Sequence, residues 1–253
     1  MNLVATLPPV FERDLRAKIR TPWPYIEAIG DPLLLLLFFG PLVAGLGTLP
    51  GMPEGDTLQW FVPGILVFMV FTTAGFAGVG LQEERQAGSL ERLLVTPASR
   101  TGLLLGRVLR IIAIVEIQAI VMILVTIPFG LSIPLGGIAL AMLLLGLLAG
   151  ALALASFAVG LFLKNAAAFW GLLTLVFTPV IVTSGVLLPI TLAPDWLYAV
   201  SRLNPLSYAV DAQRALFASD VTNSAVPLGF TVIIGFALVS LAFGVRGMRR
   251  IRI

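Results

Sequence analysis

The feature that most constrains this chain is the length of its apolar runs. From Ile133 to Leu163 no residue is charged, and a bilayer core of about 30 Å needs roughly 20 such residues in helical form. Five further stretches read the same way: Pro32–Leu49, Leu58–Leu81, Leu103–Phe129, Phe169–Leu188 and Val226–Val245. In lipid, backbone N–H and C=O groups must satisfy each other, so the expected fold class is an all-α membrane protein with six transmembrane helices. Composition supports this: 11% of the residues are charged and 58% apolar, where a soluble domain is about a quarter charged. A chain beginning with a charged, proline-bearing segment before Pro32 is not expected to open on a cleaved signal peptide.

The basic residues give the orientation. Arg13, Arg16, Lys18 and Arg20 precede span 1, and Arg85, Arg92, Arg100, Arg107 and Arg110 flank the connection between spans 2 and 3. Lys164 follows span 4, and Arg246, Arg249, Arg250 and Arg252 form the tail, so fourteen of sixteen basic residues fall on one side. By the positive-inside rule that side is the cytoplasm, which puts both termini there in a multi-pass protein of the cell membrane. The other side keeps Arg202 and Arg214 beside Glu54, Asp56, Asp195, Asp211 and Asp220. With sixteen basic against thirteen acidic residues, no dense basic surface for nucleic acid is expected, and lipid is the expected environment.

The chain reads as one domain over 1–253: a cytoplasmic interfacial segment (1–31), spans 1–5 (32–188), outer helices (189–225), span 6 (226–245) and a basic tail (246–253). In the first segment Phe11, Leu15 and Ile19 recur at helical spacing among basic residues, the pattern of a helix lying on the inner headgroups. The alternative is a disordered basic tail. In the loop Gln82–Thr101, Gly88 and Ser89 can open a short helix, with Ser89 as N-cap and Pro97 as its stop. Leu90, Leu93 and Leu94 share one face there, with Glu91 and Arg92 elsewhere. From periodicity alone, a docking surface and a helix lying on its own bundle stay equally open. On the outer side, Pro194 and Pro205 are placed to open two short helices, Asn204 being an N-cap. The second carries Leu206, Ala209, Val210, Gln213, Leu216 and Phe217 on one side, and Trp196, Tyr198 and Tyr208 suit a water–lipid boundary. These interfacial or re-entrant helices are expected to cap the outer mouth.

Enzyme chemistry is not expected. The lysines Lys18 and Lys164 follow Ala17 and Leu163, so no P-loop is present. Without cysteine or histidine, thiolate nucleophiles, imidazole bases, disulfides and the usual zinc ligands are gone, and no metal is expected. Glu116 is the acidic residue deep in a span, where a charge costs a few kcal/mol. It is either part of a transport path or the maker of a structural hydrogen bond. Thr72, Thr73, Thr174 and Thr178, with Thr183 and Ser184, could line a path, although such hydroxyls more often bond back to their own helix. Gly146 with Gly150, and Ala149 with Ala153, are small-residue pairs suited to close helix packing.

The loop run Glu84-Arg85-Gln86-Ala87-Gly88-Ser89-Leu90-Glu91-Arg92-Leu93-Leu94-Val95-Thr96-Pro97 resembles the cytoplasmic signature of ABC type-2 exporter permeases. The outer run Asn204-Pro205-Leu206-Ser207-Tyr208-Ala209-Val210-Asp211-Ala212-Gln213-Arg214 resembles that family's second hallmark. The wording is closest to the branch of daunorubicin-resistance and nodulation-factor export permeases; Ala87 departs from the Lys or Arg that many members carry. The resemblance implies the permease of an ATP-driven exporter: two permease chains, identical or paralogous, with two separate ATP-binding subunits that hold the ATP and magnesium. It also implies that the loop helix is the coupling helix, with Leu90, Leu93 and Leu94 in a cleft of the ATPase and Glu84, Arg85, Glu91 and Arg92 at its rim. The aliphatic, glycine and hydroxyl character of the spans suits an amphipathic drug, a lipid or a lipid-linked glycan. The rival expectation is an ATP-independent carrier or channel working through Glu116, which calls for clustered polar groups at mid-membrane.

Overall fold

The computed structural model describes residues 23–46, 57–88, 100–132, 135–163 and 165–250. The expected interfacial helix at Val10–Arg20, Lys164 and the loop helix at Ser89–Pro97 (with Leu90, Glu91, Arg92, Leu93, Leu94 and Thr96) lie outside these residues. The described chain is helical with no strand: α1 Trp23–Leu46, α2 Thr57–Gly75, α3 Ala77–Gln86, α4 Arg100–Thr126, α5 Leu135–Phe162, α6 Ala166–Ser184, α7 Asp195–Ser201, α8 Pro205–Phe217 and α9 Ala225–Arg250. Five segments are long and apolar enough to cross a membrane: Leu58–Gln86, Thr101–Phe129, Gly136–Phe162, Ala166–Ser184 and Ala225–Gly247. The first apolar stretch folds as α1, which contains Pro32 and Pro41.

α5 is the hub, packing against α2, α3, α4, α8 and α9. Its small residues make that possible. Ala149, Ala151 and Ala153 are fully buried; a Cβ on Gly150 would stand 3.2 Å from the Ile112 side chain of α4, and one on Gly160 would stand 3.1 Å from the Gly78 carbonyl of α3, where two backbones come close. By contrast α6 is only 17% buried and offers Trp170, Leu172, Leu175, Val176 and Val182 outward.

Besides the helices that run past their apolar stretches, α1 starting at Trp23 and α9 ending at Arg250, two boundaries differ from the sequence expectation. The stretch Leu58–Leu81 is interrupted at Phe76 (φ −88°, ψ −3°), where α2 ends and α3 begins. Ser156 of α5 meets the groups freed at that break: its Oγ donates to the Gly75 carbonyl and accepts from the Gly78 N–H at 2.8 Å. A break inside an apolar span survives only when a neighbour satisfies the backbone in this way. The Gly78 Cα lies so close to the Ser156 carbonyl and the Phe169 ring that a Cβ would collide with both. Secondly, the segment expected to be loop from Gln82 stays helical to Gln86. Gly88 then turns left-handed at φ +67°, and its N–H bonds the Arg85 carbonyl at 3.1 Å. That glycine stops a helix, the role for which its missing Cβ suits it.

The outer helix α8 is wedged into the bundle rather than laid on it. Leu206, Ala209, Val210, Gln213, Leu216 and Phe217 are all buried, and so are Ala212 and Ala215 on the remaining faces. Glycines open the space: Gly137 of α5 abuts the Leu216 carbonyl, and a Cβ on Gly229 of α9 would sit 2.6 Å from the Ala212 Cβ and 3.0 Å from the Tyr208 carbonyl. Gly229→Leu is therefore expected to cost about 1–3 kcal/mol through overpacking, read as a lower thermal midpoint in detergent. Gly235→Leu, at a position with nothing within 4 Å, should leave the midpoint unchanged.

Candidate functional site

Polar side chains gather at the two ends of the bundle. At the end where α3 stops and α4 begins, Arg107 lies on the buried stripe of α4 with Leu103, Leu104, Val108 and Ile111, and only 5% of it is exposed. Its guanidinium is ion-paired with Glu84 of α3. One turn away, Gln82 donates through Nε2 to the Gly160 carbonyl and, at 2.9 Å, to the Leu163 carbonyl. Arg85 Nη1 reaches the same Leu163 oxygen at 3.4 Å. These carbonyls close the last turn of α5 and have no partner within the helix, so cationic and amide donors are their natural complement. Gln82, Glu84 and Arg85 of α3 thus grip α4 and α5 at once.

The opposite end is built around α8. Asn204 caps the helix through Oδ1, which accepts the Leu206 N–H at 3.0 Å, and Pro205 fills the first helical position where its missing N–H is harmless. Asn204 Nδ2 donates to the Val180 carbonyl at 2.7 Å and to Thr183 Oγ1 at 3.0 Å, both on α6. Leu206 is fully packed into the core. Arg214 Nη2 donates to the Gly185 carbonyl at 2.8 Å and to that of Val186 at 3.3 Å, while Nε reaches the Trp60 carbonyl at 3.3 Å. Its guanidinium carbon stands 3.7 Å from the centre of the Trp60 ring. One cation therefore ties α8, the start of α2 and the left-handed end of α6 together. Burial pushes the Arg214 guanidinium down to about 9 and the nearby Asp211 carboxylate acts the other way, so it remains charged at neutral pH. Asp211 also pairs with Arg202 at 3.1 Å, and the Tyr208 hydroxyl donates to the Arg202 carbonyl at 3.0 Å.

The intramembrane polar residues are not drawn together. Glu116 of α4 faces α5, and a Cβ on Gly146 would stand 2.6 Å from its Oε1, so that glycine provides the room for the carboxyl group. Thr73 donates to Gln118 Oε1 at 3.0 Å, whereas Thr72 and Thr174 bond back to the Met69 and Trp170 carbonyls of their own helices. Thr178 is exposed on α6. Some positioning residues were missed from the sequence. Arg107 gave a signal, since it falls on the same helical face as four apolar positions and so needs a buried counter-charge. Gln82, Ser156 and Gln59 gave none; Gln59 Nε2 donates to the carbonyls of Ser132 and Phe217, residues distant along the chain.

Fold and sites together define a multi-pass helical membrane protein whose built features are the stem joining α3 to α4 and, at the opposite end of the bundle, the intruding helix α8. The family profile described as ABC-2 type transporter matches residues 10–218; the chain belongs to that family, as a transmembrane permease subunit of an ABC transporter. It is 30% identical over 201 residues to the ycf38 protein of Cyanophora paradoxa, covering 79% of this chain and 69% of that one. It is 27% identical over 199 residues to the daunorubicin resistance ABC transporter permease protein DrrB1 of Streptomyces coeruleorubidus, covering 77% and 69%. The probable multidrug ABC transporter permease YbhR of Escherichia coli (strain K12) shares 27% over 183 residues, covering 67% of this chain and 48% of its own.

The two jobs of Asn204 can be separated. Asn204→Ser keeps a capping oxygen but is too short to reach α6, and Asn204→Ala loses both. Thermal unfolding in detergent should place the alanine variant about 1 kcal/mol below the serine variant, the usual value of an N-cap.

Proposed function

We propose that this chain is the membrane half of an ATP-driven exporter in the cell membrane, with both termini in the cytoplasm. The observation that supports it most is that Glu84 and Arg85, which open the loop motif, and α8, which carries the second motif, stand at opposite ends of one helical hub. The stem that precedes Ser89–Pro97 is held by Gln82, Glu84 and Arg85 at one end of α5, and α8 fills the other end. The chain supplies no motor of its own, since neither lysine follows a phosphate-binding glycine. Two ATP-binding subunits, carrying ATP and magnesium, would seat Leu90, Leu93 and Leu94, with Glu91 and Arg92 at the rim.

ATP binding would draw the two ATPases together and move the loop helix. Only a difference in its contacts between the two ATPase states can shift the permease. A second permease chain, identical or paralogous, would meet this one across α1, α2 and α6, whose outward apolar residues include Phe38 and Leu175. The cargo would be an amphipathic drug, a lipid or a lipid-linked glycan, moved out of the cytoplasm or the inner leaflet. Residues 1–253 would act as one transmembrane domain. The rival reading, a carrier working through Glu116, draws less support, since that carboxyl group sits at Gly146 apart from the hydroxyls of α2 and α6.

Leu93→Asp tests the docking. With the permease co-expressed with its ATPase in inverted membrane vesicles and daunorubicin as an amphipathic probe, ATP hydrolysis should persist while ATP-dependent uptake falls to background. Full uptake by that variant would remove the docking role.

A further inference from the structure

We infer that Glu84, with Gln82 and Arg85, acts inside the permease as a clamp across the stem of the cytosolic loop, positioning the loop rather than touching the ATPase. This rests on the proposed coupling of that loop to an ATPase, and it reassigns the opening residues of the loop signature. The carrying observation is the depth of Arg107. A guanidinium only 5% exposed demands a counter-charge, and removing one partner of such a pair is far more damaging than replacing both. Glu84 is that counter-charge, on the other helix of the stem. The pair joins the last turn of α3 to the second turn of α4, so the two ends of the loop between them cannot spread apart while it holds.

The same turn of α3 is fixed sideways as well. Gln82 and Arg85 hold the carbonyls that close α5, the helix against which most of the bundle packs. Eight residues before Glu84 the chain passes the break at Phe76, where Ser156 holds the backbone by hydrogen bonds rather than by continuous helix. A push on the loop therefore reaches α3, α4 and α5 as one piece, and the yielding point lies above, between α3 and α2. Residues after Gly88 are left to meet the ATPase.

Charge exchange decides the matter in the permease–ATPase complex, with daunorubicin uptake into inverted vesicles and co-purification of the ATPase as readouts. Glu84→Arg and Arg107→Glu should each lower uptake about tenfold or more, as expected for a buried ion left facing its like, while the ATPase still co-purifies. The double exchange Glu84→Arg/Arg107→Glu should return uptake to within about threefold of the parent, the mark of two residues coupled to each other. Loss of the ATPase from Glu84→Arg that the double exchange does not restore would make Glu84 an ATPase contact and overturn the clamp. If the unaltered permease neither retains an ATPase nor needs ATP, the proposed function fails instead. The clamp is then judged, as it is if the reversed charges prevent folding, by thermal unfolding of Glu84→Gln, Arg107→Gln and their double variant. Non-additive midpoints support it, and additive ones overturn it.

Discussion

A chain that lives in lipid can leave no backbone group unmet, and several departures from continuous helix among the described residues are repaired by a side chain from elsewhere in the bundle. Ser156 serves the break at Phe76. Arg214 takes the carbonyls exposed where α6 ends at Gly185, and Gln59 takes that of Phe217 where α8 ends. Gln82 and Arg85 take those at the end of α5. The polar residues of this sparse set are thus concentrated where helices stop, and those places are also the ones from which motion could begin.

This constraint explains what the sequence shows and what it hides. The all-α class was legible because apolar length alone forces helix in a bilayer. The outer helix was legible because Asn204 and Pro205 carry local instructions for a helix start, and its six expected inward residues are all buried. The break at Phe76 was not: Gly75 and Gly78 sit in an unbroken apolar run, and the residue that permits the interruption is a serine in another helix. Gly88 closes α3, as its positive φ shows, which the sequence did not announce; the helix expected to open at Ser89 lies outside the described residues. Glu84 and Arg85 were expected at the rim of an ATPase cleft because they open the loop signature; Arg85 is exposed, while Glu84 is half-buried against Arg107. The buried stripe of α4 was the available clue to Glu84, because Arg107 falls on it.

The arrangement gives a physical form to the proposed cycle. Small residues of α5 receive the side chains of α4 and weld the two helices, and the polar grip of α3 adds a third helix to that unit. α8 is locked to α5 and α9 by glycine contacts and to α2 and α6 by Asn204 and Arg214. Movement of the loop at one end would then be felt at the other through α5, which touches both, while the weakly buried α6 is freer to change neighbours. Glu116, lodged against Gly146, belongs to the welded interface between α4 and α5.

The central claim is that this permease moves cargo only with work supplied from outside its own chain. The most direct measurement is uptake of a fluorescent amphipathic drug by liposomes containing the purified permease, with and without its ATP-binding subunit, across imposed ion gradients. Accumulation is expected only when the subunit and ATP are both present, whatever the gradient. Accumulation by the permease alone, driven by protons or sodium, would contradict it.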